Sequence, residues 1–156
     1  MSLKIECIQK LNVDLTNKAL YGEIHSPFSL IEKMIRILKK NKMRISLFIE
    51  PNIKDIKIAK KINADCVEIH VGKFCILHSK KKNTKKEFEK IKKSIHFANA
   101  IGLEAHAGHG ITFSSAKILS RIKGIKEFNI GHFLIAESIF IGMKKCIKIF
   151  KKILKK

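Results

Sequence analysis

The chain has 156 residues, nearly half of them hydrophobic, and 33 lysines and arginines against 13 acidic residues, a formal net charge of +20. That length and apolar content predict one domain, residues 1–156, with a single core. No apolar run approaches membrane-spanning length, and the opening MSLKIECIQKLNVDL lacks the apolar stretch of a secretory leader.

The charge raises a nucleic-acid reading, because clustered cations neutralise phosphates and release counterions. Only Arg36, Arg44 and Arg121 are arginines, however, and arginine is the residue suited to bidentate and stacked recognition. The lysines accompany abundant isoleucine and asparagine, a bias of the whole composition. Nucleic acid and membrane are therefore not the predicted partners. Cys7, Cys66, Cys75 and Cys146 are scattered without a CxxC pair, which predicts a reducing cytoplasm rather than a disulfide framework.

Taken in order, KIECIQ (4–9) alternates weakly and reads as a first strand. SLIEKMIRILKKN (29–41) spaces its apolar residues for a helix. RISLFIE (44–50) is a compact strand closed by Pro51 and Asn52, followed by a short helix over 53–63. CVEIHVG (66–72) is the next strand, stopped by Gly72. The lysine-rich stretch 79–93 leads into a long helix ending near Gly102. LEAHAG (103–108) is a strand, 113–122 a helix and EFNIGH (127–132) a strand. One helix from about 134 to 154 closes the chain, with Met143, Cys146, Ile147, Phe150, Ile153 and Leu154 along one stripe. That stripe is read as the packing face of a closing helix, and the lysines of 80–94 as a solvated face.

About five strand–helix units in alternation define an α/β fold with parallel strands. Doubly wound sheets and (β/α)₈ barrels both use such units, so periodicity leaves the two open.

The unusual residues collect where strands end. Glu68 and His70, two apart, share a face of their strand, so His70 either orients Glu68 or forms a satisfied interior pair with it. Glu68 stands in an otherwise apolar strand, where a carboxylate is costly unless paired or employed. His109 and Gly110 follow the next strand, and Gly131 and His132 end the one after. In α/β folds the carboxyl ends of strands are where ligands bind. GHGITFSS and GHFLIAES each bring a glycine to the start of a helix, where unpaired N–H groups receive an anion. Thr112 or Ser114 is the N-cap of the first. His109, between two glycines, is suited to proton transfer.

A metal reading competes, with His106, His109 and Glu68 as three zinc ligands. Residues three apart on a strand point to opposite faces, which opposes it. No cysteine adjoins a glycine-rich strand end, so a cysteine nucleophile is not predicted. The reading calls for no metal and no cofactor.

RISLFIEPN, CVEIHVGKF, GLEAHAGHGITF and IKEFNIGHFLIAESIFIGM, in this order and spacing across residues 28–154, resemble the pyridoxine 5'-phosphate synthase family. The resemblance implies a (β/α)₈ barrel, assembled as a cytoplasmic homo-octamer. It also implies condensation of 3-amino-2-oxopropyl phosphate with 1-deoxy-D-xylulose 5-phosphate to pyridoxine 5'-phosphate, phosphate and water. By motif, His109 is then the proton-transfer residue and Glu68 the transition-state stabiliser. Gly110, Gly131 and His132 bind the aminoketone phosphate.

The departures are specific. The strands correspond to the last five of the family's eight, so this is an incomplete barrel. The first three strands, with a catalytic histidine and glutamate, have no counterpart. DLTNKALYG blurs a threonine-and-glycine loop, with Thr16 in the threonine's place. His106 replaces an asparagine, Val71 a threonine and Glu137 an arginine. The alternative to an enzyme is a non-catalytic relic that keeps a phosphate-binding or assembly role.

Overall fold

The structure, a computed structural model, describes residues 2–4, 13–14 and 27–155. Its strands are β1 (Ser2–Lys4), β2 (Val13–Asp14), β3 (Ser46–Ile49), β4 (Cys66–His70), β5 (Glu104–Gly108) and β6 (Ile125–Asn129). The helices are α1 (Pro27–Lys40), α2 (Ile53–Lys61), α3 (Gly72–Ser79), α4 (Lys85–Ala100), α5 (Phe113–Leu119), α6 (His132–Ile141) and α7 (Met143–Leu154).

All six strands pair in parallel, in the order β1-β6-β5-β4-β3-β2. From β3 to β6 the order never reverses. A doubly wound sheet needs a reversal, so the choice that periodicity left open falls to the barrel type of winding. Crossovers of one hand in one direction put their helices on one face. The burial agrees. Leu47, Ile49, Val67, Ile69, Ala105, Ala107 and Phe128 alternate along the strands and are fully buried in one core with Ile56, Ile91, Ile95, Ala116 and Leu134 of the helices. The opposite face is polar, carrying Ser46, Glu68, His70, Glu104, His106, Glu127 and Asn129. The sheet does not close on itself among the described residues.

Local chemistry sets the ends of the elements. Asn52 caps α2, its Oδ1 accepting from the Lys54 N–H at 2.8 Å. Asp65 ties the approach to β4 back to β3, accepting from the Ile45 N–H at 2.7 Å and pairing with Lys39 at 2.5 Å. Burial pushes the Asp65 carboxyl up, but these two donors outweigh it and hold the group below the usual value. Phe150 of α7 packs on Phe113 and Phe133 at 4.6 and 6.0 Å between centroids, and Cys146 and Leu154 are buried with it. The amphipathic stripe thus faces the core.

Several expected boundaries move. The closing helix is two helices, broken at Gly142, whose φ of +82° lies in the left-handed region that a helix cannot use. The strand expected at 127–132 runs from Ile125 to Asn129. A register shift pairs Ala105 with Ile125 but His106 with Glu127, leaving Lys126 extra. That bulge lets Ile125 face the helices and Glu127 the polar side. Gly72 opens α3 rather than ending a strand, because β4 stops at His70. Of the first expected strand only Lys4 is described, at the end of β1; residues 5–9, with Cys7, lie outside the described residues, as do Thr16 and His25.

Candidate active site

A cleft of about 510 Å³ opens at the carboxyl ends of the strands. It is lined by Phe48 from β3, Glu68 from β4, the β5–α5 turn from His109 to Ile111, and Asn129 to Phe133 at the β6–α6 junction. His109, Gly110, Gly131, His132 and Glu68, singled out from the sequence, all line it. The volume falls in the range of small-molecule sites.

Glu68 is 2% exposed. The Asn129 amide donates to its Oε2, a short contact across two strands. A carboxylate only accepts, so this bond fixes which way the Asn129 amide points. Asn129 Oδ1 is then left buried without a hydrogen-bond partner among the described residues. It is an acceptor for a donor group on a ligand or water. The space for the Glu68 carboxylate exists because residue 108 is glycine: a Cβ there would overlap Glu68 Oε1.

His109 is exposed on the rim, in a left-handed backbone conformation with φ +76°. A non-glycine residue there stores strain of about 1 kcal/mol or more, a frequent property of functional positions. Its ring packs edge-on against His70, 4.8 Å between centroids, and tilts over Phe48 at 6.3 Å. The His70–Glu68 pairing expected from their shared face does not form. His70 Nδ1 instead meets Glu50 Oε1 at 2.5 Å, while Glu68 takes Asn129 as partner. Strand alternation predicts a common face but not which neighbouring strand supplies the nearer group.

Two helices begin at the cleft. Thr112 is the N-cap of α5, and its hydroxyl and Ser115 close a reciprocal capping box. Gly131 is the N-cap of α6 and has no side chain to satisfy the first N–H groups. Those donors, with the positive end of the helix dipole, face the cleft beside His132. An anion fits there better than at α5.

His106, considered as a zinc ligand, lies away from His109. It is fully buried on the polar face of β5, its Nε2 2.8 Å from Glu104 and its Nδ1 3.7 Å from Glu127. Arg44 also meets Glu104 at 2.8 Å. Together His106 and Arg44 hold the Glu104 carboxyl down at about 2. Among the described residues no group of three or more histidine, cysteine, aspartate or glutamate side chains is placed to hold a metal ion. Sequence reasoning missed Asn129, Phe48 and Glu50. Asn129 carried a signal, since it stands two residues before Gly131 at the same strand end.

A parallel sheet wound in one direction, helices on one face and a polar cleft at the carboxyl rim define a (β/α)-barrel protein. Residues 21–156 match the family of pyridoxal phosphate biosynthesis protein PdxJ, and the chain belongs to that family. It is 52% identical over 126 residues to the pyridoxine 5'-phosphate synthase of Pelagibacter ubique (strain HTCC1062), covering 81% of this chain and 53% of that protein. The synthase of Sulfurihydrogenibium sp. (strain YO3AOP1) is 35% identical over 132 residues, 85% of this chain and 54% of that protein. That of Wolbachia sp. subsp. Drosophila simulans (strain wRi) is 37% identical over 131 residues, 83% and 54% respectively. The chain thus spans about half the length of these curated relatives. The family is a barrel family of vitamin B6 biosynthesis, and the barrel here is open. No helix among the described residues is long and apolar enough to cross a membrane.

Proposed function

We propose that this chain carries the carboxyl-terminal part of a pyridoxine 5'-phosphate synthase site. It would condense 3-amino-2-oxopropyl phosphate with 1-deoxy-D-xylulose 5-phosphate to pyridoxine 5'-phosphate, phosphate and water. The observation that carries this reading is the convergence of Glu68, His109, Gly110, Gly131 and His132 on one cleft. In it the α6 amino terminus, with Gly131 and His132, receives the aminoketone phosphate. His109, exposed on the rim, transfers a proton to or from the bound substrate. Glu68, fixed by Asn129, stabilises positive charge that develops during ring closure. No cofactor and no metal enters this scheme.

The open sheet among the described residues, with its unpaired edges, favours a second reading, a non-catalytic relic that binds phosphate or assembles with other chains. Self-association suits either reading. Ile135, Ile139 and Phe140 on α6 and Met143 at the start of α7 are exposed, and a homo-oligomer would cover them.

The test is formation of pyridoxine 5'-phosphate by the purified chain given both substrates, with circular dichroism showing that it is folded. Product is expected from the wild type and none from folded His109→Ala. Turnover kept by that variant would remove His109 from proton transfer. A folded wild type that binds inorganic phosphate without forming product would leave the relic ahead, unless the amino-terminal half of a relative, added in trans, restored activity.

A further inference from the structure

Among the described residues the His109 ring has no hydrogen-bond partner, yet it occupies a strained turn between Gly108 and Gly110. What orients it is contact with other rings. His70 lies 4.8 Å away at an interplanar angle of 72°, and Phe48 backs both imidazoles, 5.2 Å from His70 and 6.3 Å from His109. His70 is itself held from the far side by Glu50, at 2.5 Å. Beneath the two imidazoles is Gly72, where a Cβ would sit 2.6 Å from His70 Nε2 and 2.7 Å from His109 Cδ2. Three consecutive strand ends thus contribute one row: Glu50 after β3, His70 at the end of β4 and His109 after β5. Lys73 and Asp55 are other charges that interact with Glu50, and neither replaces its contact with His70.

We propose that Glu50 and His70 form a positioning dyad for His109, in which the carboxylate fixes the His70 imidazole and that ring sets the orientation of His109 over the cleft. A carboxylate bonded to one nitrogen of an imidazole fixes its tautomer and its plane. The edge-on contact passes that plane to the next ring. Its value to catalysis rests on the synthase reading; the positioning itself does not.

The experiment uses the ¹⁵N-labelled full chain and imidazole ¹H–¹⁵N correlation spectra at about pH 8, where free imidazoles are mostly neutral. His109→Ala assigns the signals. In Glu50→Gln and His70→Ala, each shown folded by circular dichroism, the His109 ring-carbon protons, correlated to their ring nitrogens, are expected to lose the ring-current shifts from His70 and Phe48 and move towards the positions of a free imidazole. His70→Phe keeps an aromatic edge against His109 and should restore part of the wild-type pattern. Where the chain turns over, Glu50→Gln and His70→Ala should lower kcat about tenfold while KM moves less than about threefold, as expected for lost orientation. Unchanged His109 signals in both variants overturn the dyad. An unchanged kcat overturns the dyad's value to catalysis and leaves the synthase reading standing. A His109 response in a chain without turnover supports the dyad and counts against the synthase reading alone.

Discussion

Gly108→Ala isolates the packing that positions Glu68. The backbone at Gly108 is an ordinary buried strand position whose carbonyl accepts from the Val71 N–H at 3.0 Å, so alanine strains nothing in the main chain. The added methyl falls on the Glu68 carboxylate, which is 2% exposed and bonded to Asn129. The carboxylate must leave Asn129 or the strands must part. Losing a charge-assisted hydrogen bond costs about 1.5–3 kcal/mol. Overpacking costs about 1–3 kcal/mol. A loss of about 3 kcal/mol is expected, lowering Tm by about 6–12 °C in a chain of this length. Urea unfolding of wild type, Gly108→Ala, Glu68→Ala and the double variant forms a cycle. Removing the Glu68 side chain makes room for the methyl, so a favourable coupling of about 2 kcal/mol is expected. A Gly108→Ala cost as large in the Glu68→Ala background as in the wild type would refute the reasoning.

Glu104→Gln reads the network on the polar face of the sheet. Because His106 and Arg44 hold the Glu104 carboxyl at about 2 against an ordinary 4.5, its ionised form stabilises the fold. That contribution is fully present above pH 4.5 and is lost as pH falls towards 2. It should amount to no more than about 1 kcal/mol, because the side chain is 38% exposed and water screens it. Urea midpoints of wild type and Glu104→Gln should differ at pH 7 and converge with acid; a gap that widens on acidification would reverse the sign. Thr112→Ala opens the capping box of α5 and should cost about 1 kcal/mol in urea unfolding. An unchanged midpoint would mean that water replaces the cap without loss.

Much of the fold was legible locally. Leu47, Ile49, Val67 and Ile69 carry the alternation of strands, and Ile91, Ile95 and Ala98 the spacing of a helix whose end Gly102 marks. The break at Gly142 was harder to see, because apolar residues continue on both sides of it and a glycine inside a helical pattern is often tolerated. The bulge at Lys126 was not visible either. Only pairing with β5 reveals that one residue is extra.

For the site, the sequence by itself determined which residues could reach a carboxyl-terminal rim. Strand periodicity and glycine turns place Glu68, His109, Gly110, Gly131 and His132 at the ends of successive strands, and the motifs around them carry the family. Tertiary structure alone decided who touches whom. The direction of winding put those ends on one cleft, Asn129 rather than His70 became the partner of Glu68, and Glu50 became the partner of His70. The reason is physical. Which face a side chain takes follows from the period of its own strand, whereas a hydrogen bond between strands depends on register, bulges and the space left by residues such as Gly72 and Gly108.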